Sequence, residues 1–590
     1  MQVPYSYYKN QISIFEGHLS KVKKQLYASS MLRLAIFCLA VLSVYLSFGN
    51  TKLVMGLLLI TILLFIFLVS RHSDLQYKRD KLKVLLKINT TEIQVLERDF
   101  HHLADGSEFK DPNHFFSQDI DLFGRGSFYQ YANRTALKQG SVVFSSVLLE
   151  NSIIDIEGKQ EAIKELCKMP QWRQNFTAIA TLVKTGTPYE VILKWLKTYK
   201  AFVPKNMGVL SKMFSLVSVL LVVLYFFDII NGWGVFFWWL FGMGITSVYL
   251  KGINKLSEHT SKIQSTFRQY QKLISELEKT EFGSGLLKER QSKIAGNSTR
   301  TSKILGDFSR ILNALDQRNN MFFGFLGNGF LLWDLQQCNK IEKWIYDFGK
   351  DVEEWFKVIA FFDAYNSLGN FAFNHPDYTF PKITHGDVIL KSTNAGHPLL
   401  DPGKSVLNDF QIEAAQFFII TGANMAGKST FLRTVSLQIV MANTGLPVCA
   451  SKMVYSPIKL ITSMRTSDSL TDDESYFFSE LKRLKFIVDE IQKDRYFIVL
   501  DEILKGTNST DKAIGSRKFV EKLVDSKSTG IIATHDLSLC EVAKELSQVK
   551  NYYFDAEIIY DELHFDYKFK KGICQNMNAS FLLKKMNIVE

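Results

Sequence analysis

Cysteine is scarce in this sequence, and the few cysteines present are not arranged for metal or disulfide chemistry. The 590 residues include six cysteines, and no two of them form the CxxC pair that is typical of zinc sites and redox centres. Neither a zinc site nor a disulfide framework is therefore expected, and a reducing compartment is the default. Charged residues make up 22% of the chain, which is close to the globular average and excludes a disordered or low-complexity protein.

A general excess of apolar residues is also lacking. The mean hydropathy of +0.01 argues against a polytopic transporter, in which apolar residues would dominate the whole chain. The value is nevertheless high for a lysine-rich soluble protein, so apolar residues are expected to be concentrated in a few segments. The length suggests roughly three to four domains of about 150 residues each.

The charge balance is basic but does not identify a partner. Lys+Arg (70) exceed Asp+Glu (59) and give a net charge of +11. Such a balance fits nucleic acid, anionic lipid or nucleotide, and it does not separate them. A lysine-rich solvated surface accounts for it equally well.

Two blocks hold the concentrated apolar residues. The first, 31–70, consists of two apolar stretches around the polar break Gly49–Lys52, and the second, 209–250, is broken at Asp228–Gly232. Each stretch has about 18 residues, close to the ~20 that cross a lipid bilayer as a helix. The pairing predicts two transmembrane hairpins. Buried helices of a soluble core are the alternative.

Basic residues flank both blocks, while the connecting turns carry only Lys52. By the positive-inside rule, both hairpins enter and leave on the cytoplasmic side. The first thirty residues are polar, so a cleaved signal peptide is not expected. These patterns predict a multi-pass protein of the cytoplasmic (inner) membrane, with the lipid bilayer as a partner and the bulk of the chain in the cytoplasm. The flanking residues are Lys21, Lys23, Lys24, Arg33, Arg71, Lys78, Arg79, Lys81, Lys205, Lys212, Lys251 and Lys255.

The remaining segments predict a helical region followed by an α/β domain. After the second block, apolar residues and Thr260 recur with alternating spacings of three and four from Ile253 to Leu277, which predicts a coiled arm. Beyond Pro381 and Gly396, apolar runs alternate with helical patterns, which is typical of a parallel sheet. The predicted divisions are an N-terminal cytoplasmic segment (1–30), hairpin 1 (31–70), helical core (71–208), hairpin 2 (209–250), coiled arm (251–295), helical core (296–380) and α/β domain (381–590).

The strongest motif is a phosphate-binding loop. Residues Gly422 to Ser429 read GANMAGKS and match GxxxxGK[ST] between an apolar run and a helical pattern. Backbone N–H groups of such a loop cradle phosphates, and bulky side chains would block that approach. Lys428 is predicted to reach the β- and γ-phosphates of ATP, and the Ser429 hydroxyl is predicted to bind Mg²⁺.

Two later motifs complete an ATPase. The apolar run Tyr496–Leu500 ends in Asp501 and Glu502, so Asp501 is predicted to hold Mg²⁺ and Glu502 to orient and deprotonate the attacking water. His535 follows another apolar run and is placed to sense the γ-phosphate. This combination predicts an ABC-type ATPase, a class that closes its sites between two protomers.

These motifs resemble those of MutS, the DNA mismatch-repair ATPase. The segment 421–433 is similar to the MutS Walker A sequence TGxNMxGKSTxLR, 501–510 to DEIGRGTST, and 533–535 to its ATH switch. The resemblance implies a homodimer through the ATPase domains that binds ATP through Gly422, Asn424, Gly427, Lys428, Ser429 and Thr430. It also implies an adenine contact near Asp409, because 406–409 resembles the segment where the family packs the base. Residues 474–480 occupy the place of the STFxxE signature, which implies that Ser475 reaches the γ-phosphate of the partner subunit.

The resemblance extends upstream and then fails. Residues 119–124, 133–135 and Gly140 resemble the start of the MutS lever domain, and 359–381 with 396–398 resemble its return into the ATPase. The first 118 residues contain no likeness to the mismatch-recognition domain, and the second hairpin interrupts the core near the place of the DNA clamp. Reading of mismatches is therefore not expected.

The resulting expectation is a multidomain protein with transmembrane hairpins, an all-α lever core and a C-terminal P-loop ATPase domain. It would be a membrane-anchored MutS-like ATPase that couples hydrolysis at a dimer interface to its levers, with DNA binding in repair left open. An ABC-type transporter is one alternative, although the LSGGQ signature is absent. A membrane scaffold switched by nucleotide is another, and the intact Lys428, Ser429, Asp501 and Glu502 argue against it.

Overall fold

The computed structural model describes residues 2–182, 188–295, 299–465, 476–559 and 562–575. Within these ranges the chain is mostly helical and ends in an α/β region, as the sequence predicts. The helices are α1 (Gln2–Leu46), α2 (Thr51–Leu96), α3 (Phe128–Ala132), α4 (Lys138–Leu149), α5 (Ile156–Cys167), α6 (Pro170–Thr181), α7 (Tyr189–Thr198), α8 (Met207–Phe226), α9 (Gly232–Val248), α10 (Leu250–Lys279), α11 (Gly285–Ser292), α12 (Thr301–Asp316), α13 (Met321–Leu331), α14 (Trp333–Phe348), α15 (Val352–Asn374), α16 (Lys428–Asn443), α17 (Tyr476–Glu490), α18 (Ser509–Asp525) and α19 (Val542–Glu545).

The first hairpin, α1–α2, is far longer than its apolar part. Each helix has about 45 residues and a length of about 68 Å, and Asn50 caps α2 by accepting a hydrogen bond from the Leu53 amide. The apolar ends are exposed, whereas the polar ends reach the helical core, where Tyr8 Oη donates to Asn374 Oδ1 at 2.7 Å. Residues 2–30 of the predicted N-terminal segment therefore form one continuous helix with the first apolar stretch.

The second hairpin, α8–α9, presents a similar exposed apolar surface. Among the described residues, three helices are long and apolar enough to cross a membrane, namely α1, α2 and α8. The count rises to four if α9 and α10, which meet at a 69° bend, form one span. Contact of these helices with lipid stays a prediction.

The segment predicted as a coiled arm is a helix, but it packs into the core. All eight positions of the heptad seam are buried in α10, and so are Ser257, Thr266, Gln269 and Leu273 beside it. The buried stripe is therefore wider than a coiled-coil seam, because α10 is covered by several neighbours, among them α12, α6, α14 and α15. The structure corrects the arm to a central helix of the core.

Helix α15 is the axis of the helical core and leads toward the α/β region. Most of its 23 residues are buried against α4, α5 and α6. Its Asp363 accepts hydrogen bonds from the Ala136 and Leu137 amides at the start of α4, and burial raises the pKa of this carboxyl group to about 7. The fully enclosed carboxylate joins α15 to α4.

The C-terminal region contains a mainly parallel sheet and two smaller sheets. The six-stranded sheet has the order β12-β9-β4-β8-β7-β6, and every residue of β4 and β8 is buried. Long apolar runs are needed here because helices cover both faces of a parallel sheet. The strands are β1 (Lys382–Ile383), β2 (Val388–Ala395), β3 (Asn408–Glu413), β4 (Phe417–Gly422), β5 (Lys452–Tyr455), β6 (Lys459–Ser463), β7 (Tyr496–Asp501), β8 (Thr529–Ala533), β9 (Val549–Phe554), β10 (Ala556–Ile559), β11 (Glu562–Phe565) and β12 (Lys570–Lys571).

Candidate nucleotide-binding site

The phosphate-binding loop connects the central strand β4 to helix α16. Gly422 and Gly427 have φ angles of 149° and 106°, and a Cβ at Gly422 would come 2.6 Å from the Phe554 carbonyl oxygen. A side chain would be strained at either position, so both glycines are required by the backbone. The loop thus directs the N-terminus of α16 into a cavity at the carboxyl edge of the sheet, where parallel α/β folds bind their ligands.

Lys428 lies at the bottom of this loop. Its buried ammonium donates to the carbonyl oxygens of Gly422 at 2.7 Å and Ala423 at 3.0 Å, and it lies 3.2 Å from His535 Nε2. Burial lowers the pKa of Lys428, and the nearby Asp501 and Glu502 carboxylates oppose that shift. The predicted phosphate-binding lysine therefore lies next to the predicted acid–base groups.

Ser429 and Asp501 meet at the position where a metal ion would bind. Ser429 Oγ donates to Asp501 Oδ2 at 2.7 Å, although 72 residues separate them in the sequence. A hydroxyl and a carboxylate are hard oxygen ligands that suit Mg²⁺. Within the described residues no group of three or more Asp, Glu, His or Cys side chains could hold a metal, so phosphate oxygens and water would have to complete the shell.

Glu502 follows directly in a left-handed conformation with φ 53°. Its amide donates to the Ala533 carbonyl at 2.9 Å, and its Oε1 accepts from Lys512 Nζ at 2.8 Å. Burial alone would raise the pKa of Glu502, but Lys512 and, at 4.0 Å, Lys505 outweigh it, so the pKa lies below its usual value. The sequence analysis missed Lys512, because nothing in its local pattern connects α18 with the end of β7.

His535 is placed by the end of β8. The preceding Thr534 amide donates to the Ile420 carbonyl on β4, which fixes the turn beside the phosphate-binding loop. Burial and the Lys428 ammonium lower the pKa of His535. A neutral imidazole next to the lysine can accept or donate a hydrogen bond without charge repulsion.

These side chains line one cavity of about 770 Å³, a volume within the range of small-molecule sites. Of the predicted ATP-binding residues, Asn424, Gly427 and Thr430 also line it, together with Val406 and Asn408, whereas Gly422 is not among the lining residues. Their contact with ATP stays a prediction. The predicted adenine contact Asp409 is not among the lining residues, and its carboxylate accepts from the Asn394 amide at 2.7 Å instead. Asp409 lies on β3, where side chains alternate between the two faces, and its neighbour Asn408 is the one that reaches the cavity.

The far wall of the cavity comes from a part of the chain without a motif. Tyr567 lines the cavity near Gly427 and is 42% exposed, which leaves an aromatic ring available for stacking against a nucleobase. Asn408 Nδ2 donates to the Tyr567 carbonyl at 3.0 Å, and Asn408 Oδ1 accepts from the Phe569 amide. Only the fold brings this segment to the phosphate-binding loop.

Comparison with known proteins agrees with this geometry. Residues 418–586 match the family model of MutS domain V. This stretch is similar to MutS domain V, and the C-terminal α/β domain is called the MutS domain below because of that similarity. The matched range begins within β4 and includes the phosphate-binding loop, Asp501, Glu502 and His535.

Several similar proteins are named as MutS homologues or DNA mismatch repair proteins. MutS protein homolog 4 of Homo sapiens is 31% identical over 214 residues, 34% of this chain and 22% of the relative. DNA mismatch repair protein MSH4 of Arabidopsis thaliana is 30% identical over 217 residues, 35% of this chain and 27% of the relative. DNA mismatch repair protein MutS of Clostridium tetani is 32% identical over 206 residues, 33% of this chain and 23% of the relative. The chain therefore spans about a quarter of the length of these relatives.

The signature segment of the MutS domain is described only in part. Glu480 on α17 is buried, and its two oxygens accept from the Leu504 amide at 2.6 Å and the Lys505 amide at 3.1 Å. It thus anchors the loop that follows Glu502. Ser475, the predicted contact to a partner subunit, lies outside the described residues.

The MutS domain is fastened to the helical core close to its site. Asp119 accepts from Thr462 Oγ1 at 2.5 Å, the Met464 amide at 3.1 Å and the Arg465 amide at 2.9 Å. The Arg465 guanidinium forms a bidentate pair with Asp121 at 2.6 and 2.7 Å. These contacts, here called the lever clamp, join the segment 119–124 to the end of β6.

Proposed function

We propose that this protein is a membrane-anchored ATPase that binds and hydrolyses Mg-ATP in its MutS domain. The observation that carries the proposal is the 2.7 Å contact between Ser429 and Asp501 beside Lys428 and Glu502. Four residue types that phosphoryl transfer requires line one cavity of suitable volume, although they come from separate strand ends. A scaffold that never hydrolyses ATP would not need the carboxylate of Glu502.

Each of these residues has a separate role in the proposed hydrolysis. Lys428 binds the β- and γ-phosphates. Ser429 and Asp501 would hold Mg²⁺, which would neutralise negative charge on the phosphate oxygens. Glu502 accepts a hydrogen bond from the attacking water and takes its proton. His535 touches the γ-phosphate through the nitrogen that faces Lys428. In a homodimer, Ser475 of the opposite protomer would close the site.

Anchoring in the cytoplasmic (inner) membrane is the second part of the proposal. The exposed apolar surfaces of α1, α2, α8 and α9 support it, because exposed apolar areas of this extent need a partner. Basic residues flank each hairpin at its open end, which is typical of the cytoplasmic side. Both hairpins rejoin the helical core, so movement of the core would be transmitted to the membrane.

Coupling between hydrolysis and the helical core is the third part. The lever clamp connects the core segment 119–124 to the chain that leads toward 466–475, and Arg433 of α16 also lies 3.6 Å from Asp121. A shift of α16 or of the end of β6 would therefore reach the core directly. The core would act as a lever between the ATPase site and the hairpins.

DNA is the candidate effector. Some relatives are named as DNA mismatch repair proteins, and a net charge of +11 would attract a polyanion without sequence preference. Homoduplex DNA is expected to change the ATPase rate, and a mismatch is expected to add no further change. A rate that depends on the mismatch would contradict the second expectation.

The test uses full-length protein in detergent or lipid nanodiscs. Mg²⁺-dependent ATP hydrolysis is expected for the wild type, and Glu502→Gln is expected to abolish it while an ATP-bound dimer accumulates in light scattering. Glu557→Gln, the same change on an exposed residue of β10, serves as the matched control and should behave as wild type. Absence of hydrolysis in the wild type, or full activity of Glu502→Gln, would refute the proposal.

A further inference from the structure

Helix α13 is apolar and exposed, but it is too short to have been recognised as a membrane segment. Its eleven residues, MFFGFLGNGFL, contain no charged side chain. Met321 and Phe322 are 71% and 81% exposed, and Phe325 and Leu326 are at least half exposed. Such a cluster of large apolar side chains on a soluble surface is unusual and indicates a covering partner.

Helix α13 packs directly on the second hairpin. A Cβ at Gly242 of α9 would overlap the Gly329 carbonyl oxygen, and a Cβ at Gly329 would overlap the Trp239 ring. Trp239 Nε1 also donates to the Phe325 carbonyl at 3.1 Å. Glycines that let two helices approach this closely are typical of helix packing in membranes.

The contacts of α13 show which part of it is covered. Trp239 contacts both Phe325 and Gly329, and Gly242 contacts Gly329, so α13 lies along one short stretch of α9. The C-terminal end of α13 is held by α8 and α14, because the Leu331 carbonyl accepts from Ser215 Oγ at 3.2 Å and Gln336 Nε2 at 2.8 Å. The free apolar cluster therefore lies on the N-terminal half, next to the exposed face of α9.

Charged residues stand just outside both ends of α13 and meet each other. Arg318 Nε donates to Asp334 Oδ2 at 2.9 Å, and Arg318 Nη1 donates to Asn254 Oδ1 at 2.8 Å. Asn254 belongs to α10, one turn after the bend that ends the second hairpin. The polar residues that flank the two ends of α13 therefore lie together near the start of α10, where the second hairpin joins the helical core.

We propose that α13 is a lipid-embedded element that enters and leaves the bilayer on the side of the helical core, without crossing it. Its length of about 16 Å is half of the ~30 Å hydrocarbon layer. The exposed side chains continue the apolar surface of α8 and α9, so a lipid layer that contacts the second hairpin also covers α13. The inference rests on the proposed membrane anchoring of that hairpin.

Photo-crosslinking of the full-length protein tests the occupant of this face. The photoreactive residue p-benzoylphenylalanine replaces Phe322 in protein reconstituted into vesicles of phosphatidylethanolamine and phosphatidylglycerol. Phe237 on α9 is the positive control for the anchor, and Tyr346 on α14, which is 88% exposed, is the control for a solvent-exposed position. All three side chains are exposed, so none of the replacements should disturb packing. Mass spectrometry of the irradiated protein identifies the adducts.

Lipid adducts are expected at positions 322 and 237 to a similar extent, and none are expected at position 346. Adducts at 237 without adducts at 322 would overturn the inference and leave the anchor intact. Absence of adducts at 237 would overturn the anchor and the inference together. A crosslink from 322 to a second protein chain would assign the face to self-association instead, and equal adducts at 322 and 346 would show that α13 has no special contact with lipid.

Discussion

The lever clamp allows the consequence of a single substitution to be worked out from the structure. Asp119 is 6% exposed, and its carboxylate accepts hydrogen bonds from the Thr462 hydroxyl and from the Met464 and Arg465 amides. Hydrogen bonds to a charged acceptor contribute about 1.5 to 3 kcal/mol each. The low end of this range for the two amide bonds alone gives a minimum of about 3 kcal/mol for Asp119→Ala.

This loss should appear as local opening of the clamp and not as global unfolding. About 3 kcal/mol corresponds to about a hundredfold change in an equilibrium constant. Amide hydrogen exchange of peptides that cover 460–465, followed by mass spectrometry, should therefore become about a hundredfold faster in Asp119→Ala. ATPase activity measured in parallel tells whether the clamp also couples the core to hydrolysis.

A matched change makes the result interpretable. Asp401 is exposed and accepts from the Gly403 amide at 2.9 Å, so Asp401→Ala removes a similar bond from a carboxylate that makes none of the hydrogen bonds of the clamp. Exchange at 460–465 should not change in this control. An exchange rate in Asp119→Ala that stays within threefold of the wild type, against about a hundredfold expected, would refute the reasoning that Asp119 fastens the MutS domain to the core.

Three further predictions concern the site and the second hairpin. Lys512→Met should shift the acidic limb of the pH profile of kcat to higher pH, because Lys512 lowers the pKa of Glu502 and Glu502 acts as a base only when deprotonated. An unchanged acidic limb would contradict the role of this contact. Ser429→Ala should raise the Mg²⁺ concentration for half-maximal activity by at least about tenfold, because Asp501 loses its partner ligand; an unaltered Mg²⁺ titration would place the metal elsewhere. Gly242→Leu should lower the melting temperature in detergent, since overpacking costs about 1–3 kcal/mol. Gly244→Leu should not, because nothing lies within 4 Å of a Cβ at this position. Equal melting temperatures of the two variants would contradict the packing of α13 on α9.

Local sequence was sufficient wherever a single segment carries the signal. The phosphate-binding loop needs a strand, two glycines and a helix in immediate succession, and the structure has β4, Gly422, Gly427 and α16 in that order. Apolar runs likewise predicted the buried strands, because a parallel strand covered on both faces cannot tolerate polar side chains. The apolar hairpins could be located in the same way, although their contact with lipid stays a prediction.

Pairings between distant segments could not be predicted, because periodicity describes one element and not its neighbours. Lys512 beside Glu502 and Tyr567 beside Gly427 come from segments without a motif. The heptad seam of α10 predicted a helix correctly but could not tell a coiled partner from a packed core, since both bury the same stripe. The resemblance located the segment that ends at Asp409 but could not tell that Asn408, and not Asp409, lines the cavity, because it does not give the face of the strand.

The sequence by itself therefore determined which of these segments are helices or strands. It also determined the phosphate-binding loop and the two carboxylates at the end of β7. Only the tertiary structure decided which groups surround them, that Asp119 fastens the core to the MutS domain, and that α13 shares an apolar surface with the second hairpin. The physical reason is that φ and ψ preferences and apolar periodicity act over a few residues. Contacts such as Ser429 with Asp501 form between segments whose separation in the chain is set by the folding of everything between them.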